Sequence, residues 1–428
     1  MIDLKRIYSK RALGVSATIL ALTAMMMVMF APGAAASGQS SARSLGMAGA
    51  FNSLAEGVDA PRYNPANLGL ASHRNSSLEL IGFGVNLNNN SITLGDYNKY
   101  TGAVLTDSDK EDILGKIPSD GLKLVAEVEA SAFSFSLGRF AVSNTAVGAA
   151  NVNLSKDILD LILNGNTLGD EIELSDSYSD AVAYVQTGFS YGLPIHKSAR
   201  KQLAVGGTFK YIQGLAVEQI TKLEGGVSTL STGFEGSGSM IAQTATGGSG
   251  WGLDIGAAMN LNEKYTVGAS IRNFMSTISW SNNTEEHGYE FSFDTMTVDN
   301  MDADYVVSED YTREIDGFKT ELPSVLTLGL ADTEGKLLWA VDWEQGFKTE
   351  AGSSSKPRIA LGAEYRGFGL LPLRAGFGTG GGKNSGFALG AGLNLAVIQV
   401  DFGVQTGTSL SSSSSKGLNM ALGLRLDI

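Results

Sequence analysis

The sequence predicts an all-β fold, a transmembrane antiparallel β-barrel, and three observations carry that prediction. Apolar residues recur with period two in segment after segment, so each strand has two faces in different surroundings. Past an N-terminal leader there is no apolar run of on the order of 18 residues, so no helix there would span a bilayer. A closed barrel is then the remaining way to satisfy the backbone in lipid. Finally, short turns alternate with long polar connections, the asymmetry of outer-membrane barrels.

The leader comes first. Lys5, Arg6, Lys10 and Arg11 precede an apolar run from Ala12 to Phe30 and a stretch of small residues, the pattern of a cleavable signal peptide. Ala34-Ala35-Ala36 fits an A-x-A processing site, so residues 1–36 are expected to be removed and Ser37 to start the mature chain. The chain has no Cys, which excludes a lipidated Cys, a disulfide framework and a thiolate metal site. The formal net charge is -13, and processing would bring it to about -16. Such acidity disfavours nucleic acid, whose phosphates select basic faces. The 54 glycines of 428 residues are about twice ordinary usage. They are spread through the apolar segments and follow no collagen or linker pattern.

The strands are clearest in the C-terminal half. Trp251, Leu253, Ile255, Ala257 and Met259 share one face, with Gly252, Asp254, Gly256, Ala258 and Asn260 opposite. After an Asn262-Glu263-Lys264 turn, Tyr265, Val267, Ala269 and Ile271 continue the apolar side. Leu326, Leu328 and Leu330 follow, then Leu337, Trp339, Val341 and Trp343, then Ile359, Leu361, Ala363 and Tyr365, and then Leu373, Ala375 and Phe377. The last three strands are read over Phe387–Leu395, Ile398–Val404 and Leu418–Ile428. The N-terminal half offers Leu78–Val85, Phe133–Val142, Ala146–Leu154, Val182–Tyr191 and Leu203–Tyr211.

No apolar face in these strands carries a charge, as lipid requires when a Lys or Arg at the midplane costs roughly 2–4 kcal/mol. The opposite faces are mostly Gly, Ala, Ser and Asn with scattered charges, which suits a crowded lumen. Short turns are expected at His196–Gln202, Asn262–Lys264, Asp332–Lys336 and Gly367–Leu371. Ile220–Gly250, Asn282–Glu321 and Thr406–Lys416 read as outer loops. Asp107–Lys116 has helical spacing, as does Ser155–Asn164 with Ser155 as N-cap and Gly165 beyond its end. Both are expected in outer loops.

Between the leader and the first strand lie Ser41-Ala42-Arg43-Ser44-Leu45-Gly46-Met47-Ala48-Gly49-Ala50 and Asp59-Ala60-Pro61-Arg62-Tyr63-Asn64-Pro65-Ala66-Asn67-Leu68. Leu45, Gly46, Met47 and Gly49, followed by Tyr63, Asn64, Pro65 and Ala66, resemble the N-terminus of the FadL/TodX-type outer-membrane transport proteins and their PorV-like relatives. Asn64 is a good N-cap and Pro65 a good first helical residue. Asn67 stands where that family often has Gly, and Ile428 where a terminal aromatic is usual. The resemblance implies a barrel of about 14 strands, within the even-numbered range, over residues 76–428, with residues 37–75 as a hatch closing its periplasmic end.

It further implies the outer membrane as the location, with outer-membrane lipid and the barrel-assembly machinery as partners. The implied activity is passive uptake of small hydrophobic molecules such as long-chain fatty acids, through a binding pocket and a lateral opening. A PorV-like docking or shuttle component for exported proteins, moving no small molecule, is the alternative. A secreted soluble β-protein or adhesin is the third.

Nothing in the sequence reads as an enzyme or a cofactor site. Gly378–Lys383 looks like a phosphate loop, but Phe377 occupies the first Gly position and Asn384 the magnesium-binding Ser/Thr position. His73, His196 and His287 are too scattered for zinc. Asp299, Asp302 and Asp304 lack the Gly and closing Glu of a calcium loop. The remaining clue is lumen charge. Asp254, Arg272, Asp342, Glu344, Arg358, Glu364, Arg366, Arg374 and Arg425 point inward by parity. They are placed either to pair across strands or to gate the hatch.

Overall fold

A computed structural model describes residues 41–73, 76–165, 168–297, 307–348, 353–381, 383–407 and 412–427. The expected signal peptide, Asp299, Asp302 and Asp304 lie outside the described residues. The chain forms a closed antiparallel barrel of 14 strands. In chain order these are β1 (Ser77–Asn89), β2 (Leu122–Leu137), β3 (Phe140–Leu154), β4 (Tyr178–Lys197), β5 (Lys201–Leu230), β6 (Gly233–Leu261) and β7 (Tyr265–Trp280). The other half comprises β8 (Val325–Asp332), β9 (Leu337–Gly346), β10 (Arg358–Tyr365), β11 (Leu373–Gly380), β12 (Lys383–Leu395), β13 (Ile398–Gly407) and β14 (Gly417–Asp427). Each strand pairs with its sequence neighbour, and β14 returns to β1 from Ser77↔Asp427 to Asn88↔Gly417. That closure leaves no edge in the wall. Among the described residues no helix is long and apolar enough to cross a membrane.

Parity sets the two surfaces. Leu193, Phe209, Trp251, Leu361, Leu389 and Leu422 all lie outward and exposed, part of a continuous apolar band that only a bilayer or a large partner would cover. Tight turns close one end. Asn262 and Glu263 both have positive φ, 53° and 60°, the geometry of a two-residue type I′ hairpin that matches the strand twist.

Three expectations need correction. Phe133–Val142 is not one strand, because β2 ends at Leu137 and the chain turns at Gly138 and Arg139 before β3. Ile220–Gly250 is not a loop: β5 and β6 stay paired from Lys201↔Leu261 to Leu230↔Gly233. At about 3.3 Å per residue, β5 with its 30 residues far exceeds the 9–11 that cross a bilayer. Asn282–Glu321 likewise contains strands. Glu285–Met296 pairs with the outer part of β6, and Val307–Glu314 pairs with it in turn. With Glu171–Glu173 on the other edge of β5, these make an arm projecting beyond the barrel.

The outer end also carries the helices. α3 (Leu94–Tyr100) and α4 (Asp107–Lys116) both start on Thr capping boxes, while α5 (Lys156–Asn164) has Ser155 as N-cap and Gly165 at φ 72°. Two short helices precede them within the N-terminal segment, α1 (Ala42–Gly46) and α2 (Ala60–Tyr63).

Candidate functional site

The short-turn half of the lumen is filled by residues 41–70. Met47, Phe51, Leu54 and Ala55 pack on inward Ala331, Leu338, Ala340 and Ala360, and Ala66 and Leu70 pack on Ala204 and Ala258. Glycines make this possible. Gly192 opposes Gly206, Gly206 opposes Gly256, Gly268 opposes Gly329, Gly362 opposes Gly376 and Gly390 opposes Gly403. A Cβ at Gly206 would lie 2.4 Å from the Pro65 and Ala66 backbone, and one at Gly376 would lie 2.4 Å from Met47 C. The Gly/Ala-rich inner face therefore lets one backbone lie directly on another.

The family-like motif residues sit in this contact. Ser41 caps α1, which runs through Leu45 and Gly46. Ala48 and Gly49 turn the chain with φ 54° and 84°. Asn64 Oδ1 accepts from Ala66 N–H (3.1 Å), capping the 3-10 turn Pro65–Gly69, and its Nδ2 donates to Ala257 O (3.1 Å) on β6. Tyr63 meets Phe51 edge-on at 5.1 Å. Asn67, the departure from the family pattern, donates to both Asn52 O and Ala55 O at 2.9 Å. A Gly there would lose both bonds.

The parity-assigned charges fall into two groups. Glu364, fully buried, accepts from Arg43 Nε at 2.8 Å and Arg374 Nε at 2.6 Å, with Arg366 against it from the half-exposed rim. Arg374 also reaches Asp401 at 2.6 Å. Arg425 binds Asp59 at 3.0 Å, and Arg358 donates to Ala48 O at 2.5 Å. Asp342 Oδ2 accepts the Phe51 and Asn52 N–H groups at 2.7 Å each. These residues join the wall to the segment. In the second group Arg272 pairs with Glu344 at 3.2 Å. Asp254 binds Lys210 at 2.7 Å, farther toward the outer end.

Above that level the lumen changes character. Val182, Tyr184, Ile212, Ile278 and Trp280 turn inward and pack together, closed by Phe318 and Leu322. Trp280 is 1% exposed. Its indole lies where a Cβ on Gly214 or Gly248 would come within 2.5–2.9 Å, and its Nε1–H donates to Thr320 Oγ1 at 2.9 Å. Between the two levels the wall is broken. Asn273 has φ 52°, and β7 loses register with β6 between Leu253 and Ile255. On its other side Pro323, which has no N–H to give, separates Phe318–Glu321 from β8. Side chains bridge the break. Asp254 Oδ1 accepts from Asn273 N–H (2.6 Å), Ser324 Oγ donates to Asn273 O (2.6 Å), and Lys210 reaches the Asn273 side chain. At the outer mouth Lys116 ties α4 to α3 through Asp96 at 2.8 Å, the Tyr100 hydroxyl of α3 donates to Asp112 of α4, and Lys116 also holds Asp112 within its own helix at 2.8 Å. Lys116, with the Tyr100 hydroxyl, holds the Asp112 carboxyl down at about 2.

Several functional residues escape a reading of the sequence. Arg43, Glu56, Asp59 and Arg62 carry the segment's half of the ion pairs, Arg62 reaching Glu79 at 2.6 Å. Their signal was available, since charges in a segment rich in Ala and Gly need partners. Ile278 and Trp280 keep the inward parity of Ser270 and Arg272 but are large and apolar where that face is elsewhere small or polar. The histidines are dispersed: His73 ends the inner segment, His196 lies near the β4–β5 turn, and His287 lies between Thr244 and Thr312 on the arm.

A model of a family of unknown function (DUF5723) matches residues 73–238 and 232–336. No curated protein matches the sequence. Among solved structures, the toluene transporter TbuX of Ralstonia pickettii is 13% identical over 89% of this chain and 97% of its own, with a TM-score of 0.50. A deltaS2S3 mutant of the monoaromatic hydrocarbon channel TodX is 13% identical over 90% and 98%, with a TM-score of 0.52. At such identities the likeness establishes a common fold.

Proposed function

The chain belongs to the family of unknown function DUF5723, and from that starting point we propose that it is an outer-membrane channel for passive uptake of small hydrophobic compounds, long-chain fatty acids among them. One observation carries this reading: an apolar cluster of side chains packed around Trp280 inside the lumen, above a segment that fills the short-turn end. An aqueous pore would line its lumen with polar groups, whereas apolar side chains there favour a greasy solute.

In this reading the segment from Ser41 to Leu70 is a hatch that denies a straight water path. The glycine contacts and the Arg43, Arg62 and Arg425 ion pairs support that role. A solute enters from the outer mouth, displaces side chains around Trp280, and leaves sideways at the break between Asn273 and Pro323. That is where the ladder is already interrupted and is bridged by side chains and by a backbone bond, Leu322 N–H to Ser276 O at 2.9 Å. The FadL-like motif and the fold shared with TbuX, described as a toluene transporter, support the same reading by analogy.

Proteoliposomes should take up long-chain fatty acids or monoaromatic hydrocarbons faster than protein-free liposomes. Equal rates would contradict the proposal. A second reading, a PorV-like docking component for exported proteins, draws on the arm, where Tyr289, Phe291 and Phe293 stack at about 6 Å along one face. Stable co-purifying proteins combined with no uptake would favour it.

A further inference from the structure

The outward wall between β5 and β9 is not level. The registers place Leu203, Met259, Val267, Leu330 and Val341 in one lateral row. The next row toward the outer end contains the directly paired Ala257 and Ala269, walled by Leu328 and Trp343. The two alanines are the floor of an apolar groove of about 560 Å³. Toward the short-turn end the following row is Lys201, Leu261, Tyr265, Asp332 and Trp339. There Tyr265 and Trp339 meet at 6.4 Å, as in the aromatic girdle at a membrane interface.

Charge at that rim is uneven in a chain whose net is -13. The β4–β5 turn presents Lys197, Arg200 and Lys201 with no acidic residue from Leu193 to Gln202. All three cations are exposed, and among the described residues none forms an ion pair. The next turn is balanced, since Lys264 is held by Asp332 at 3.5 Å. Lys201 shares the outward face with Leu203 and lies about 13 Å from the alanine floor at strand rise. That distance falls within one leaflet.

We propose that this groove and turn form a binding site for an anionic glycerophospholipid of the inner leaflet, with an acyl chain on Ala257 and Ala269 and the phosphate at Lys197, Arg200 and Lys201. The groove supplies contact that a level wall lacks, and the turn supplies the headgroup selectivity. The site depends on membrane insertion and not on transport, so uptake should be unchanged in the variants below.

The test is native mass spectrometry of the full chain in a neutral detergent, offered equal phosphatidylglycerol and phosphatidylcholine with the same acyl chains. Wild type should retain phosphatidylglycerol over phosphatidylcholine by about five-fold or more. The double variant Ala257→Leu, Ala269→Leu should lose retained lipid. The triple variant Lys197→Gln, Arg200→Gln, Lys201→Gln, confined to an exposed turn, should keep lipid but lose the headgroup preference. Retention without headgroup preference in wild type, no retention at all, or a preference unchanged in the triple variant would overturn the site.

Discussion

The two halves of the lumen are lined by the same strands and hold different things. At the short-turn end the inward residues of β5 and β6 are Gly206 and Gly256. A few residues farther out they are Ile212, Gly214, Gly248 and Gly250, with Ile278 and Trp280 of β7 over them. In the first half the contents are the chain's own backbone, fastened by ion pairs. In the second they are side chains reaching from the wall, held mainly by apolar contact. Glycine serves both, admitting a backbone at one level and an indole ring at the other. On the proposed reading the first stays in place and the second is displaced by a solute.

The largest expected effect comes from removing the contents of the first half. Deletion of residues 41–70 should convert the barrel to an open pore, read as ion conductance in a planar bilayer. A folded deletion variant with wild-type conductance would show that the second half closes the barrel alone. Next comes Glu364→Gln, which leaves Arg43 and Arg374 buried without their shared carboxylate. Breaking a buried pair from one side costs about 3–5 kcal/mol, to be measured by urea unfolding from vesicles. A change under about 1 kcal/mol would mean that the pairs do not hold the segment.

A smaller effect separates neighbouring glycines. Gly206→Val forces a side chain into the Pro65–Ala66 backbone and should cost about 1–3 kcal/mol and raise leakage. Gly207→Val faces outward, where an added Cβ meets only Asp254 O at 3.6 Å, and should do neither. Similar behaviour of the two variants would refute the assigned faces. The smallest effect belongs to the mouth. The Asp112 carboxyl is held at about 2 against an ordinary 3.8, so the tie that its carboxylate gives α4 to Tyr100 of α3 is complete above about pH 4. It should be lost as the pH falls through 2, loosening α3 from α4 in hydrogen exchange while leaving conductance unchanged.

Much of the fold is legible in the sequence because lipid imposes a strict alternation. The Trp251–Asn260 part of β6, the Tyr265–Arg272 part of β7 and the last three strands can be read residue by residue, α4 follows from its helical spacing and α5 from its spacing and its caps. The arm was misread for the opposite reason. Where both faces of Ile220–Gly250 are wet, nothing forces hydropathy to alternate, and paired strands look like loop. Phe133–Val142 failed because apolar residues run straight through the turn at Gly138 and Arg139. In the site, parity aims Glu364 inward but does not name Arg43, which is 321 positions away. The apolar cluster escapes notice because Ile278 and Trp280, on the same even-numbered face as Ser270 and Arg272, are large and apolar where that face is elsewhere small or polar.

Tryptophan sidedness tests the central claim most directly. Trp251, Trp339 and Trp343 face outward by register, whereas Trp280 faces the lumen and is buried. Four variants, each retaining one Trp, would be reconstituted in vesicles of brominated phospholipid, whose bromine atoms quench fluorescence on contact. The account predicts strong quenching of the three outward residues and little of Trp280. Quenching of Trp280 equal to the others, or sparing of all four, would contradict it.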